Sequence, residues 1–253
     1  MRRRRLAQLA LVMAVVVVGI VTIALTTGSG RRELRAPGGR GSTAEQTIDS
    51  LLAGIPQSSN TLGRASAAVT LRWFGDMECP FCKEFTLGAL PSIVQRWVRG
   101  GQLKIEYFSM ETATREPKVF QKQEVAALAA GLQDKMWNYL ETFYHEQGEE
   151  DSGYVTEHYL QEIARQVSGL NEGLWAEDRH DPTLLTRMKA GQAVALWAGF
   201  TGTPAFLIGR SGGVAVRFSP KSLTNPKPFD AAIEYLLDRG KPAGSSQYID
   251  YSL

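Results

Sequence analysis

The chain has only two cysteines, Cys79 and Cys82, and they stand three residues apart where a strand-like segment meets a helix-like one. No other feature narrows the possible folds so far. Residues 68–74, Ala-Val-Thr-Leu-Arg-Trp-Phe, are rich in β-formers and run into Gly75-Asp76, the pattern of a strand ending in a turn. From Pro80 to about Val98 the pattern is helical, and Gly100-Gly101 ends it. Proline suits the first turn of a helix, where its missing N–H would have had no intrahelical acceptor. Cys79 therefore falls at the helix start and Cys82 about one turn further in. Residues 103–109, Leu-Lys-Ile-Glu-Tyr-Phe-Ser, read as the next strand. The region is a strand–helix–strand unit with Cys79-Pro80-Phe81-Cys82 at its first junction.

Closing so short a loop stabilises a fold little, because the gain grows with the length of chain closed. The pair is there for chemistry or by chance. A thiolate is the nucleophile in disulfide exchange, and free N–H groups at a helix start stabilise negative charge. Cys79 is then the attacking thiol and Cys82, inside the helix, the resolving one. Half of a zinc site is the competing chemistry. It needs about four ligands, and His145, His158 and His180 do not stand at ligand spacing from one another, so no metal is expected.

Late in the chain, Gly202-Thr203-Pro204-Ala205-Phe206-Leu207-Ile208-Gly209 opens a second strand-like region. Val214 to Phe218 follows after Ser211-Gly212-Gly213, which makes a hairpin, and a helix from about Pro228 to Arg239 closes the domain. Taken alone, Pro204 is equally well an ordinary proline at a strand start. Between the two regions lies a helical block, about residues 113–199. Val125, Leu128, Ala129, Leu132 and Met136 recur at helical spacing, and Trp137, Leu140, Phe143 and Tyr144 continue the apolar content. Tyr159, Ile163 and Val167 mark a second helix capped near Thr156. Leu184, Leu185, Met188, Val194 and Trp197 mark a third, entered through Asp181-Pro182. These stripes read as core, with turns at 148–153 and 179–181.

With both motifs in order around a helical block, the sequence resembles the thioredoxin superfamily, and within it the DsbA-like thiol-disulfide oxidoreductases. The residues that carry the resemblance are Phe74-Gly75-Asp76-Met77-Glu78-Cys79-Pro80-Phe81-Cys82-Lys83 and Gly202-Thr203-Pro204-Ala205-Phe206. The likeness spans roughly residues 60–240. It implies an α/β, thioredoxin-like fold with a helical insertion between the strand–helix–strand half and a cis-proline hairpin half. It also implies that Pro204 is cis beside the cysteines and that Thr203 offers its backbone to a substrate strand. The implied activity is that of a protein-disulfide oxidoreductase with no cofactor beyond the Cys79–Cys82 disulfide. Its implied partners are cysteine-containing proteins outside the cytoplasm and a membrane redox partner that recharges the pair; the chain is expected to act as a monomer.

The sequence departs from that family in two places. The strongest oxidants carry histidine between the cysteines, where this chain has Pro80 and Phe81. Asp76 and Glu78 should oppose ionisation of Cys79, which points to a milder donor. Many relatives also keep a buried acid in the first strand as a proton relay. Strand 68–74 has none, and Glu78, Asp76 or a water stand in as alternatives. The direction of electron flow stays open.

Arg2 to Arg5 precede an apolar run from Leu6 to about Thr27, interrupted by Gln8. At about 1.5 Å per residue such a run can cross a hydrocarbon core of about 30 Å. It is long for a signal peptide and no small-x-small cleavage site follows, so an uncleaved anchor is favoured over a removed leader. The expected organisation is a cytoplasmic tail at 1–5, a transmembrane helix at 6–27, a tether and short helix at 28–59, the thioredoxin-like domain at 60–242 and a tail at 243–253. Residues 28–45 read as a flexible tether. Eight arginines against Glu33 give residues 1–40 a charge of +7, so the rest carries −5 within a total of +2. That distribution argues against a nucleic-acid partner.

Two other readings stay open. One is a reductase or isomerase using the same residues, although residues 43–60 are short for the dimerisation domain that such isomerases carry. The other is a non-catalytic scaffold that grips extended peptides beside Pro204. The signatures G-x-x-x-x-G-K-[ST], G-x-S-x-G and H-E-x-x-H do not occur.

Overall fold

The computed structural model describes residues 43–238. The expected membrane span at 6–27, the tails at 1–5 and 243–253 and most of the tether lie outside the described residues. Among those described, no helix is long and apolar enough to cross a membrane. The tether expected through residue 45 ends earlier, because helix α1 (Thr43–Leu52) begins at Thr43 and buries Ile48, Leu51 and Leu52.

Six strands form one sheet: β1 (Gln57–Ser58), β2 (Thr61–Leu62), β3 (Val69–Gly75), β4 (Leu103–Ser109), β5 (Ala205–Arg210) and β6 (Ala215–Phe218), in the order β1-β2-β4-β3-β5-β6. β3 is central and nearly continuously buried, as expected of a strand covered on both faces. It pairs in parallel with β4, through a crossover made of α2 (Pro80–Leu87), α3 (Ala89–Ile93) and a π-helical turn at Val94–Val98. It pairs antiparallel with β5, and β5 with β6 forms the expected hairpin. Helix α9 (Lys227–Asp238) returns over the sheet and buries Phe229 against Phe85, Phe206 and Phe218.

The strand registers fix where chemistry can occur. Gly75 lies opposite Ser109 and Phe74 opposite Ala205. The residues that follow β3, those that follow β4 and those that precede β5 therefore meet at one end of the sheet. Cys79, Met110–Thr114 and Thr203-Pro204 are brought together in this way.

The helical block holds α4 (Pro117–Gly131), α5 (Met136–Glu146), α6 (Glu157–Gln166), α7 (Glu172–Asp178) and α8 (Pro182–Trp197). Two expectations need correction. The apolar stripe from Val125 into Met136 and beyond is broken at 132–135, where Asp134 takes φ 56° and turns the chain. Helix α7 had no readable stripe, since only Trp175 of its seven residues is buried. Asn171, whose side chain accepts from Leu174 N, starts it. The crossover helix is likewise interrupted at Gly88, where an added Cβ would lie 2.6 Å from Glu84 O and 2.7 Å from Thr224 Cα. The chain at 223–224 approaches through that gap, and Ala89 N donates to Leu223 O.

Candidate active site

Cys79 occupies the N-cap of α2 with extended dihedrals (φ −69°, ψ 120°), and Pro80 takes the first helical position. The Cys79 carbonyl accepts from Cys82 N at 3.1 Å and from Lys83 N at 3.2 Å, which begins the helix. Both cysteines are free thiols. Cys79 retains 4% exposure and Cys82 none, while Phe81 between them is 59% exposed.

The Thr203–Pro204 peptide bond is cis. The Cys79 thiol donates to the Thr203 carbonyl at 3.3 Å. The Thr203 hydroxyl lies 2.6 Å from that of Thr112, so the loops after β4 and before β5 are tied together beside the sulfur.

The two thiols are tuned in opposite directions. A hydrogen bond from Cys82 is the main reason that Cys79 falls from 9.0 to about 7, against the cost of its own burial. The Thr203 hydroxyl and the backbone N–H groups of Cys82 and Phe81 add to the lowering. Cys82 moves well above 9.0, first because it is wholly buried and then because of its hydrogen bond with, and the charge of, Cys79. One sulfur is thereby made ready to carry charge and its neighbour to carry a proton.

Asp76 and Glu78 have other surroundings than the sequence suggested. Asp76 is fully buried and accepts six hydrogen bonds, from the N–H groups of Glu78, Thr112, Ala113 and Thr114, the Thr114 hydroxyl and the Gln123 amide. It fastens the loop after β4 to the cysteine turn. Glu78 is buried with its carboxyl raised, first by desolvation, and its neighbours include Thr114, Asp76 and Asp151.

Three participants were not singled out from the sequence. Gln147 donates from Nε2 to Met77 O at 2.7 Å and Cys79 O at 3.1 Å, while its own carbonyl accepts from Lys83 Nζ. Thr112 reaches Thr203 as described. Glu124, from α4, is fully buried against β4, where its carboxyl accepts from Ser109 Oγ at 2.7 Å and from Tyr107 OH at 3.2 Å. Burial, then the charge of Asp76, pushes it up to about 8. Tyr107 in turn feels the charge of Cys82. In sequence nothing marks Gln123 and Glu124; their bonds do, Gln123 to Asp76 and Thr114 and Glu124 to Tyr107 and Ser109 of β4. Among the described residues, no group of three or more His, Cys, Asp or Glu side chains is arranged to hold a metal ion.

The family model described as thioredoxin matches residues 57–216. Among curated proteins, disulfide bond formation protein D of Bacillus subtilis (strain 168) is 23% identical over 133 residues, or 51% of this chain and 57% of the relative. Probable disulfide bond formation protein D of Bacillus anthracis is 22% identical over 114 residues, covering 43% and 50%. The matches thus span about half the length of these curated relatives. Among solved structures, oxidised BdbD from Bacillus subtilis superposes with a TM-score of 0.60 at 19% identity, over 72% of this chain and 96% of that one. Wolbachia pipientis alpha-DsbA1 gives 0.59 at 17% identity, over 74% and 93%. At such identities the structural likeness is one of fold.

Proposed function

Because the chain belongs to the thioredoxin family, whose model it matches over residues 57–216, we propose that it is a protein thiol-disulfide oxidoreductase that donates disulfides through Cys79 and Cys82. The observation that carries this reading is the opposed tuning of two thiols at one helix start, facing the Thr203 carbonyl. The names of the Bacillus relatives, disulfide bond formation protein D, support the same direction.

In the oxidised enzyme, a substrate thiolate attacks Cys79 Sγ, the Cys79–Cys82 bond breaks and Cys82 leaves. A second substrate thiolate then attacks the substrate sulfur of the mixed disulfide and releases Cys79 as a thiolate. The substrate loses two electrons and the pair gains them; a disulfide-bearing partner takes them up again. The Cys79 thiolate, at about 7, is a good leaving group at neutral pH. Cys82 is a poor one unless it is given a proton, because burial disfavours its charge.

We assign that proton to Glu124 in preference to Glu78 or Asp76. Its carboxyl, held at about 8, is protonated at neutral pH, and it accepts from Tyr107, whose hydroxyl is raised first by burial and then by the charges of Glu124 and Cys82. Asp76 is saturated with donors and serves to hold the loops. Thr203 and Pro204 flank the attacked sulfur, so the Thr203 backbone is the group that a substrate strand would meet first.

Such a donor works in an oxidising compartment. We place the domain outside the cytoplasm, with residues 6–27 as its anchor, where it meets cysteine-containing proteins and a membrane partner that restores the disulfide.

A second reading, a reductase with the same residues, is favoured by one observation. A Cys79 value of about 7 lies near that of thioredoxin and well above the ~3.5 of the most oxidising relative. Equilibration of the pair against glutathione decides between them. A potential more oxidising than about −180 mV supports the donor, and one near or below about −270 mV replaces it with the reductant. Thiols that form no reversible disulfide would leave a peptide-binding scaffold.

A further inference from the structure

A cavity of about 730 Å³, which neither cysteine lines, is walled by α1, by α2 and α3, and by α5. This volume is in the range of small-molecule sites. Ile48, Leu51, Leu87 and Pro91 make much of its wall apolar. Into that wall α5 sets Glu141, 2% exposed, whose Oε1 is buried with no hydrogen-bond partner. Buried polar atoms almost always find a partner, and an orphan costs about 1–3 kcal/mol. No mechanistic step outlined above uses this carboxyl.

We propose that the cavity binds a small organic cation, a primary ammonium group on an apolar body, with the Glu141 carboxyl as its counter-group. The lining offers no lysine or arginine to an anion, and its only other ionisable side chain is His145, one turn along α5. Burial lowers His145, whose charged neighbours are Glu146 and Lys83, so the imidazole is neutral at pH 7. Burial alone raises Glu141 to about 8, and no neighbouring charge contributes. An ammonium group brought against the carboxyl therefore displaces its proton and supplies the missing partner, while the alkyl or aryl body covers the apolar wall. A neutral alcohol of the same length gains only the wall and one hydrogen bond.

The test is calorimetric titration of the full chain at pH 7 with n-hexylamine, hexan-1-ol and hexanoate, in two buffers of different ionisation enthalpy. The amine should bind saturably and about tenfold or more tightly than the alcohol. It should release close to one proton per amine bound, and hexanoate should not bind. Glu141→Gln should reduce the amine to the affinity of the alcohol and end the proton release, with the rate of disulfide exchange unchanged. Should that variant fail to fold, Leu87→Trp fills the cavity with Glu141 intact and should abolish amine binding. The proposal is overturned by the absence of saturable amine binding, by equal affinity for amine and alcohol, by binding without proton release, or by amine binding that survives Leu87→Trp.

Discussion

The Cys79 thiol and the Thr203 carbonyl oxygen are 3.3 Å apart across 124 residues of sequence. Sheet register makes this contact, because β3 ends beside the start of β5 and each strand delivers its loop to the same edge. A sulfur joined to Cys79 therefore arrives next to the Thr203 backbone. The Thr203 carbonyl cannot take a hydrogen bond from Cys79 once that thiol is a thiolate or part of a disulfide. It then becomes free to accept from an incoming strand.

The division of labour between the thiols predicts two different substitution phenotypes. Cys79→Ser should abolish exchange, because Cys82 is buried and cannot be attacked directly. Cys82→Ser should still react once with a substrate disulfide and then stall as a mixed disulfide, because no resolving thiol remains. Non-reducing gels of either variant mixed with a cysteine-bearing peptide disulfide check both outcomes.

Titration of thiolate absorbance in the reduced chain should show one group near 7, Cys79, and no second ionisation until well above 9. Because the folded value lies below the usual one, the reduced fold gains stability as pH rises from about 7 to 9, by at most about 3 kcal/mol. Below pH 7 that gain is gone. The oxidised chain has no thiol to titrate, so the difference between reduced and oxidised urea midpoints across this window isolates the effect.

Glu124 predicts the opposite slope. Its folded value is raised from 4.5 to about 8, so between these limits the folded chain holds a proton that the unfolded chain has lost. Stability should fall by about 1.4 kcal/mol per pH unit over that window, and Glu124→Gln should remove this part of the slope. As a proton source for Cys82, the same substitution should slow exchange by about 10²-fold and erase an inflection near pH 8. Retention of that inflection in the variant would assign the proton elsewhere.

Gln147 holds the cysteine turn from outside the thioredoxin half. Gln147→Ala takes its donor from the buried Met77 carbonyl and one of three donors from that of Cys79. Urea unfolding should register a loss of about 1–3 kcal/mol. Asp76→Ala should cost at least as much, since the four backbone N–H groups that it gathers would lose their acceptor.

What could be read in the sequence was local. The strand into Gly75, proline at the first helical position and the Gly-Thr-Pro before a second strand are signals written in adjacent residues. They were enough for the strand–helix–strand unit, the hairpin and the two cysteines. Glu124 and Gln147 were invisible because their roles come from packing between α4, α5 and the sheet edge, and nothing nearby in sequence announces it. Asp76 and Glu78 looked like charges beside Cys79. In the fold, Asp76 spends its charge on the N–H groups of 112–114, which sequence proximity could not show. The two-residue strands β1 and β2 and helix α7 were too short to show a period at all.

Phe81 is the residue through which the potential can be moved. It sits between the cysteines, 59% exposed, one position past the helix start, and brings no charge to Cys79. Phe81→His places an imidazole there without disturbing the core. Near pH 6 its cation lies beside the Cys79 sulfur and adds to the hydrogen bonds that already favour the thiolate. Cys79 should then titrate below about 7, by roughly one unit. Its thiolate form should be stabilised by about 1.4 kcal/mol. At pH 6, where only about half of Cys79 would be ionised, the reduced pair gains roughly a quarter of that, just under about 10 mV in the oxidising direction. The gain should shrink as pH rises past the histidine's own ionisation, because a neutral imidazole offers no charge. Equilibration of the variant and the parent chain against glutathione at pH 6 and pH 8 measures both quantities. A potential that does not move at pH 6 would mean that the Cys82 and Thr203 hydrogen bonds, and not local charge, set the thiolate of Cys79.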